Sequence, residues 1–229
     1  MRLLSLQVGR PAPLPWRGRP VVSAIAKTPV EGPVALGPEG LDGDEQADLR
    51  HHGGPDKAVC VYPAEYYPHA ETLLGGPLGP AAFGENFTTA GLADDEVVVG
   101  SIYRIGTATV QVSQPRRPCF KLAARHAGRP GAGRLPVELQ TAGRTGFYLR
   151  VLVRGRVSAG QAFQLLHTPA HGLTVAEVNR VMNVDRDDLD GVRRLLAARA
   201  DLPARWAEAL AARLGGRFDD DSARLAGPG

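Results

Sequence analysis

The stretch Val97-Val98-Val99-Gly100-Ser101-Ile102-Tyr103-Arg104-Ile105-Gly106-Thr107-Ala108-Thr109-Val110-Gln111-Val112-Ser113-Gln114-Pro115 decides the fold class. It is a series of short apolar runs broken at Gly100, Gly106 and Pro115. Glycine and proline turn or end a strand, because one lacks a side chain to pack and the other lacks a backbone donor. Thr109 to Gln114 alternates polar and apolar side chains, as a strand with one buried face does. The runs read as short strands around tight turns, stopped by Pro115.

The same pattern extends in both directions. Leu3 to Val8 ends at Gly9, and Arg19 to Ile25 starts at a proline. Ala58-Val59-Cys60-Val61-Tyr62 is a continuous apolar run stopped by Pro63, as a buried strand would be. Phe147 to Val153 leads to Gly155, followed by short runs over 156–160 and 161–166. Many short strands at close spacing favour a barrel or sandwich over a βαβ sheet. Helices are predicted over Ala64–Leu74 and Phe120–His126. Beyond His171 the pattern changes to helical. Thr174 and Glu177 form a capping box. Asp187 or Asp188 can cap a second helix carrying Leu189, Val192, Leu195 and Leu196. Asp201 precedes a third, with Trp206, Leu210 and Leu214 on one face. The expectation is a mainly β (α+β) fold: a β-barrel domain over 1–167, a three-helix appendage packed on it over 168–215, and a polar, disordered tail over 216–229.

The chain has 229 residues, 43% of them apolar and 22% charged, with a net charge of +3. Those values suit a soluble globular protein. No apolar run nears the roughly 20 residues of a membrane span, and no secretory signal is apparent. The basic residues are spread, with pairs at Arg116-Arg117 and Arg193-Arg194, so no nucleic-acid footprint is expected. Two cysteines, Cys60 and Cys119, make no disulfide framework, and a reducing, cytoplasmic setting follows. The zinc, dinucleotide and P-loop spacings are absent.

Four stretches carry dense polar groups. Gly40 to Val59 holds Arg50, His51, His52, Gly53, Gly54, Asp56 and Lys57 just before the buried run. It can cradle an anion, or serve as a solvated turn. Phe83 to Thr89 contains Asn86 and Thr88, which suit hydrogen bonds to a heterocycle or equally to their own turn. Val112 to Leu122 places Cys119 after Pro115-Arg116-Arg117-Pro118 and before a helix. A thiol in that cationic setting should ionise readily, and the thiolate binds soft metals and attacks sulfur. Cys60, inside its apolar run, reads as core. Gly143 to Val151 brackets Arg144 between glycines, as a ligand contact or a hairpin turn.

GLDGDEQADLRHHGGPDKAVCVY (40–62), FGENFTT (83–89), VSQPRRPCFKL (112–122) and GRTGFYLRVL (143–152), in this order, resemble the MOSC family, the domain found at the C-terminus of molybdenum-cofactor sulfurases. The likeness is to its stand-alone, YiiM-like branch, in which a three-helix domain follows. The resemblance implies a MOSC β-barrel with the molybdenum cofactor (molybdopterin) bound independently of pyridoxal phosphate. In the family the cysteine matching Cys119 either ligates molybdenum or carries sulfur. The branch is associated with reducing N-hydroxylated compounds, such as hydroxylaminopurine base analogues, in detoxification. Gly100-Ser101 departs from the expected Gly-Asp at a turn.

On this basis Cys119 is the metal ligand, and Cys119, Asp56 and His52 are the catalytic candidates, Asp56 as an orienting group or proton relay. Arg50, Lys57, Asn86, Thr88, Ser113, Gln114, Arg116 and Lys121 are cofactor contacts. The partners are a small-molecule substrate and an external flavoprotein or ferredoxin-type electron donor, since the chain has no flavin or iron–sulfur motif; a homodimer is compatible with the helical appendage. Two alternatives stay open: a Cys119 persulfide that delivers sulfur to a metal centre, and a non-enzymatic barrel that binds an anion.

Overall fold

A computed structural model describes residues 1–228, and the side chains of Arg50 and His51 lie outside the described part. The strands are β1 (Arg2–Val8), β2 (Ala12–Trp16), β3 (Arg19–Ser23), β4 (Thr28–Pro29), β5 (Val34–Gly37), β6 (Gly40–Leu41), β7 (Val59–Pro63), β8 (Phe87–Ala90), β9 (Ile102–Ile105), β10 (Ala108–Pro115), β11 (Phe147–Val153), β12 (Gly155–Val157) and β13 (Gln164–His167). The α-helices are α1 (Leu49–His52), α2 (Tyr67–Leu74), α3 (Phe120–Arg125), α4 (Leu135–Thr141), α5 (Val175–Asn179), α6 (Leu189–Ala197), α7 (Ala204–Leu214) and α8 (Ser222–Ala226).

Eight strands form one curled sheet in the order β13-β9-β10-β11-β7-β8-β1-β4. Its pairs are antiparallel except β7 with β8. Leu3 N donates to Gln161 O at 2.9 Å, Gly160 N to Leu3 O at 2.7 Å, and Phe163 N to Met1 O at 3.2 Å. These bonds fall just before β13 and draw the two ends of the sheet together into a half-barrel. The strand expected over Val97–Val99 reduces to a single bridge, Val98 to Thr174, which ties the sheet to the start of α5.

The interior explains why these runs are apolar. Val61 on β7 sits between Phe147 on β11 and Phe87 on β8. Burying each such large side chain contributes about 1.5–3 kcal/mol. One continuous core joins Leu6, Val59, Val112 and Leu149 of the sheet to Val178, Met182, Leu195, Trp206 and Leu210 of the helices. The helices are therefore built onto the barrel rather than tethered to it. A second cluster, with Tyr62, Phe83, Leu122 and Leu139, lies under α2, α3 and α4. Leu122 anchors α3 there and so fixes the helix that Cys119 opens.

Local capping follows the sequence at two helices. Thr174 Oγ1 accepts from Glu177 N at 3.2 Å, and Asp188 Oδ1 accepts from Gly191 N at 2.8 Å. The Glu177 carboxylate does not complete the box, because Arg180 Nε donates to it at 2.9 Å. Asp201 precedes α7, whose first turn follows Pro203, and its carboxylate faces His171 at 3.3 Å. Part of the segment expected as a polar tail carries regular structure. Ser222–Ala226 form α8, and Asp221 pairs with Arg117 at 2.5 Å. Among the described residues no helix is long and apolar enough to cross a membrane.

Candidate active site

The thiol loop begins where β10 stops. Pro115 ends the strand, and Arg116 N donates to Gly146 O at 2.9 Å. Gly146 has φ +69°, and a Cβ there would lie 2.3 Å from Val61 O, so a side chain is excluded. The Gly143–Gly146 turn is held from below by Asp94. Its buried carboxylate accepts from Thr145 N at 2.9 Å, Thr145 Oγ1 at 3.1 Å and Gly146 N at 3.0 Å. Burial pushes that carboxyl up to about 7 despite the three donors. Arg144 lines neither of the cavities at the thiol; its guanidinium lies 5.9 Å from the Tyr66 ring centroid.

Cys119 is the N-cap residue of α3 and is nearly buried. Its Sγ lies 3.8 Å from His52 Nε2. His52 closes α1 with Nδ1 3.7 Å from Asp48 Oδ2, one helical turn earlier. Burial, and then the charges of Lys121 and Lys57, push the imidazole down to about 3, so it is neutral at pH 7. A neutral imidazole can donate one hydrogen bond and accept another. It can thus orient a sulfur without adding charge. Lys57 is buried and is pushed down to about 7 by burial and by Arg205 and Arg117. Its Nζ lies 5.7 Å from the Tyr148 ring centroid. Lys57 can therefore exchange a proton near neutrality, which an ordinary lysine cannot do.

Two cavities meet at this thiol. The larger, about 510 Å³, is lined by Cys119, His52, Lys57, Gln114, Lys121 and Tyr148, with Arg117, Arg205 and Trp206. The smaller, about 80 Å³, shares Cys119, His52, Lys57, Lys121 and Tyr148 and adds Cys60, Asn86 and Arg116. Three buried polar atoms of wall residues have no hydrogen-bond partner among the described residues: Gln114 Oε1, Arg116 Nη1 and Arg224 Nε. Arg116 is fixed by its other nitrogen, which donates to Phe83 O at 2.5 Å.

The sequence-predicted residues divide accordingly. Cys119, His52, Lys57, Gln114 and Lys121 come together at the larger cavity, and Asn86 and Arg116 border the smaller. Asn86 is already engaged: Oδ1 accepts from Cys60 N at 3.0 Å, and Nδ2 donates to Asp44 Oδ2 at 2.8 Å. Three residues lie off both walls, and each has a structural engagement. Asp56 pairs with Arg150 at 2.8 Å, Ser113 Oγ donates to Asp56 O at 2.5 Å, and Thr88 Oγ1 donates to Glu85 at 3.0 Å. The Arg50 side chain lies outside the described part. Sequence reading missed Asp48, Asp94, Tyr148, Arg205 and the carboxylates of 219–221. Asp48 had a signal, four residues before His52 on α1; the others are assembled by tertiary contacts.

A family model, the MOSC domain, matches residues 48–164. The chain belongs to the MOSC domain family. This MOSC protein is 46% identical over 198 residues to the uncharacterized protein YflK of Bacillus subtilis, covering 86% of this chain and 88% of the relative. It is 39% identical to protein YiiM of Escherichia coli, with 92% of each chain covered. The crystal structure of that YiiM aligns with a TM-score of 0.78 at 31% identity, covering 98% of both chains. A Gibberella moniliformis protein named Reductase is 36% identical over 81% of this chain, which spans 32% of that longer protein. The resemblance drawn from the motifs and the expected barrel-with-helices fold both hold.

Proposed function

We propose that this chain binds a molybdenum cofactor in the cavity beside Cys119 and reduces N-hydroxylated compounds with electrons from an external protein donor. One observation carries the reading. A nearly buried thiol stands where two cavities meet, with Lys57, Lys121 and Arg116 around it and with Gln114 Oε1 and Arg116 Nη1 unpartnered among the described residues.

These residues fit such a group. Among the described residues there is no cluster of three His, Cys, Asp or Glu side chains able to hold a metal ion. A single soft sulfur suits a metal that arrives with most of its ligands already in place. Lys57, Lys121 and Arg116 suit an anionic cofactor. The free acceptor of Gln114 and the free donor of Arg116 suit a heterocycle or its phosphate. A cavity of about 510 Å³ lies in the range of small-molecule sites.

When bound, the cofactor supplies the two-electron redox chemistry, and the protein supplies position and protons. Reduction of R–NH–OH consumes two electrons and two protons and yields R–NH₂ and water. Lys57 Nζ, titrating near 7, is the group suited to deliver a proton at the N–O bond. His52 orients the Cys119 sulfur. The name of the Gibberella relative is in keeping with a reductive reaction.

The test is expression in a cofactor-competent host, followed by molybdenum and pterin analysis of wild type and Cys119→Ala. Reduction of an N-hydroxylated aminopurine is then assayed with a reduced viologen dye as donor. Wild type should carry both and turn over, and Cys119→Ala should lose metal and activity together. Wild type that is metal-free and inactive with donor supplied would overturn the reading. An extra sulfur atom on Cys119 in intact-protein mass spectrometry, removable by reductant, would favour a sulfur carrier instead.

A further inference from the structure

Residues 217–228 grip the thiol loop at several points. Arg224 Nη1 donates to the carbonyl oxygen of Pro118, the peptide that leads into Cys119. Its Nη2 donates to Gln140 Oε1 and to Asp221 Oδ2, each at 2.9 Å. Asp221 Oδ1 accepts from Arg117 Nη2 at 2.5 Å. On the far side of the cysteine, Gly227 rests on Phe120. A Cβ on Gly227 would lie 2.7 Å from the Phe120 ring and 2.9 Å from Trp16 Nε1. Cys119 is thus bracketed: Arg117 and Pro118 before it, Phe120 after it.

Away from the thiol loop this segment is held through Arg186, whose guanidinium lies 5.7 Å from the Phe218 ring centroid. None of the five residues of α8 is buried, and so short a helix is unstable alone. Arg186 steadies the segment from the helical side, donating to Asp219 O at 2.6 Å. Asp219, Asp220 and Asp221 form part of the wall of the larger cavity.

We propose that residues 217–228 are a clip on the thiol loop, in which Arg224, braced by Asp221, is a positioning residue that fixes the Pro118–Cys119 peptide and closes the outer rim of the cavity over the sulfur. The proposal rests on the reading of Cys119 as the working thiol. A peptide group is planar, so a donor held on the Pro118 carbonyl fixes the plane that also contains the Cys119 nitrogen. The direction of the Cys119 side chain is set from that plane. Charged donors make the stronger hydrogen bonds, and the planar guanidinium lets Arg224 serve three acceptors at once.

The clip is tested on full-length, cofactor-free protein by the rate at which iodoacetamide alkylates Cys119, located by peptide mass spectrometry. Arg224→Gln should react about tenfold faster than wild type, equivalent to about 1.4 kcal/mol at the clip. Arg224→Lys should recover part of the protection, since it keeps the charge without the fork. High salt should accelerate wild type more than Arg224→Gln, which keeps only the Arg117–Asp221 pair at the loop. Cys60, at the wall of the smaller cavity with its thiol pushed up by burial, is the internal control and should stay far less reactive than Cys119 throughout. Equal rates for wild type and Arg224→Gln would overturn the clip. So would Cys60 reacting in step with Cys119, since that means general loosening. Molybdenum content of Arg224→Gln should also fall below wild type. If wild type itself takes up no molybdenum, the cofactor reading fails, while the alkylation rates still decide the clip.

Discussion

Replacing Lys57 with methionine should make the cofactor-free protein more stable while removing a cation from the site. Lys57 is 8% exposed, and it titrates near 7 in place of 10.5. At about 1.36 kcal/mol per pH unit, a shift of that size is worth about 5 kcal/mol against the folded ammonium form. Below pH 7 the lysine is charged in both folded and unfolded chains, so the whole cost is present. Between 7 and 10.5 the folded chain holds it neutral while the unfolded chain still binds the proton. Stability contributed by this residue therefore rises with pH across that window. Methionine has similar length and no charge, so Lys57→Met should be stabilised by at least about 2 kcal/mol at pH 6, allowing for relaxation and water entry around the ammonium. The advantage should shrink steadily by pH 9. Urea unfolding of both proteins at several pH values measures it, and the difference between them cancels the other titrating groups. A difference that does not change with pH, or a variant less stable than wild type at pH 6, would refute the reasoning.

Two further outcomes follow from the same geometry. Gly146→Ala should lose about 3 kcal/mol or more, since it combines a left-handed backbone with a collision against Val61 O; Gly172→Ala, at φ +63° with open space around it, is the control and should lose about 1–2 kcal/mol, both read by urea unfolding. His52 should show no ring-proton NMR titration between about pH 5 and 8. Because it is held near 3 rather than 6.5, its contribution to stability is present above 6.5 and is lost as pH falls toward 3, which His52→Gln should abolish.

What the sequence makes legible is what is local. The alternation of Thr109 to Gln114 and the stop at Pro115 are properties of one strand, and β10, Ala108–Pro115, extends one residue beyond that alternation at each end. Thr174 and Asp188 cap their helices because a cap needs a donor only three residues away. The setting of Cys119 is also local, since Pro118 and Phe120 belong to its own loop. Asp201 escapes the same logic: its carboxylate finds His171, 30 residues earlier. Asp94 gave no motif, because its donors lie 51 and 52 residues on. The polar composition of 217–228 is that of a solvated tail. Its order comes from arginines elsewhere, with Arg117 and Asp221 separated by 104 positions. The appended helices were readable one by one, but their share of the barrel core depends on residues facing each other across the fold.

The bonds between Leu3 and residues 160–161 also have a kinetic meaning. The first strand cannot find its last partners until more than 160 residues have been made. At roughly 5–20 residues per second, a growing chain waits on the order of ten to thirty seconds before those partners emerge. Pairings of such long range are slow to form even afterwards. During that interval the start of β1, and for most of it the edge of β7 that awaits β11, offer unpaired backbone to any neighbour, so the newly made chain should be at its most aggregation-prone then and should gain most from chaperones that shield strand edges.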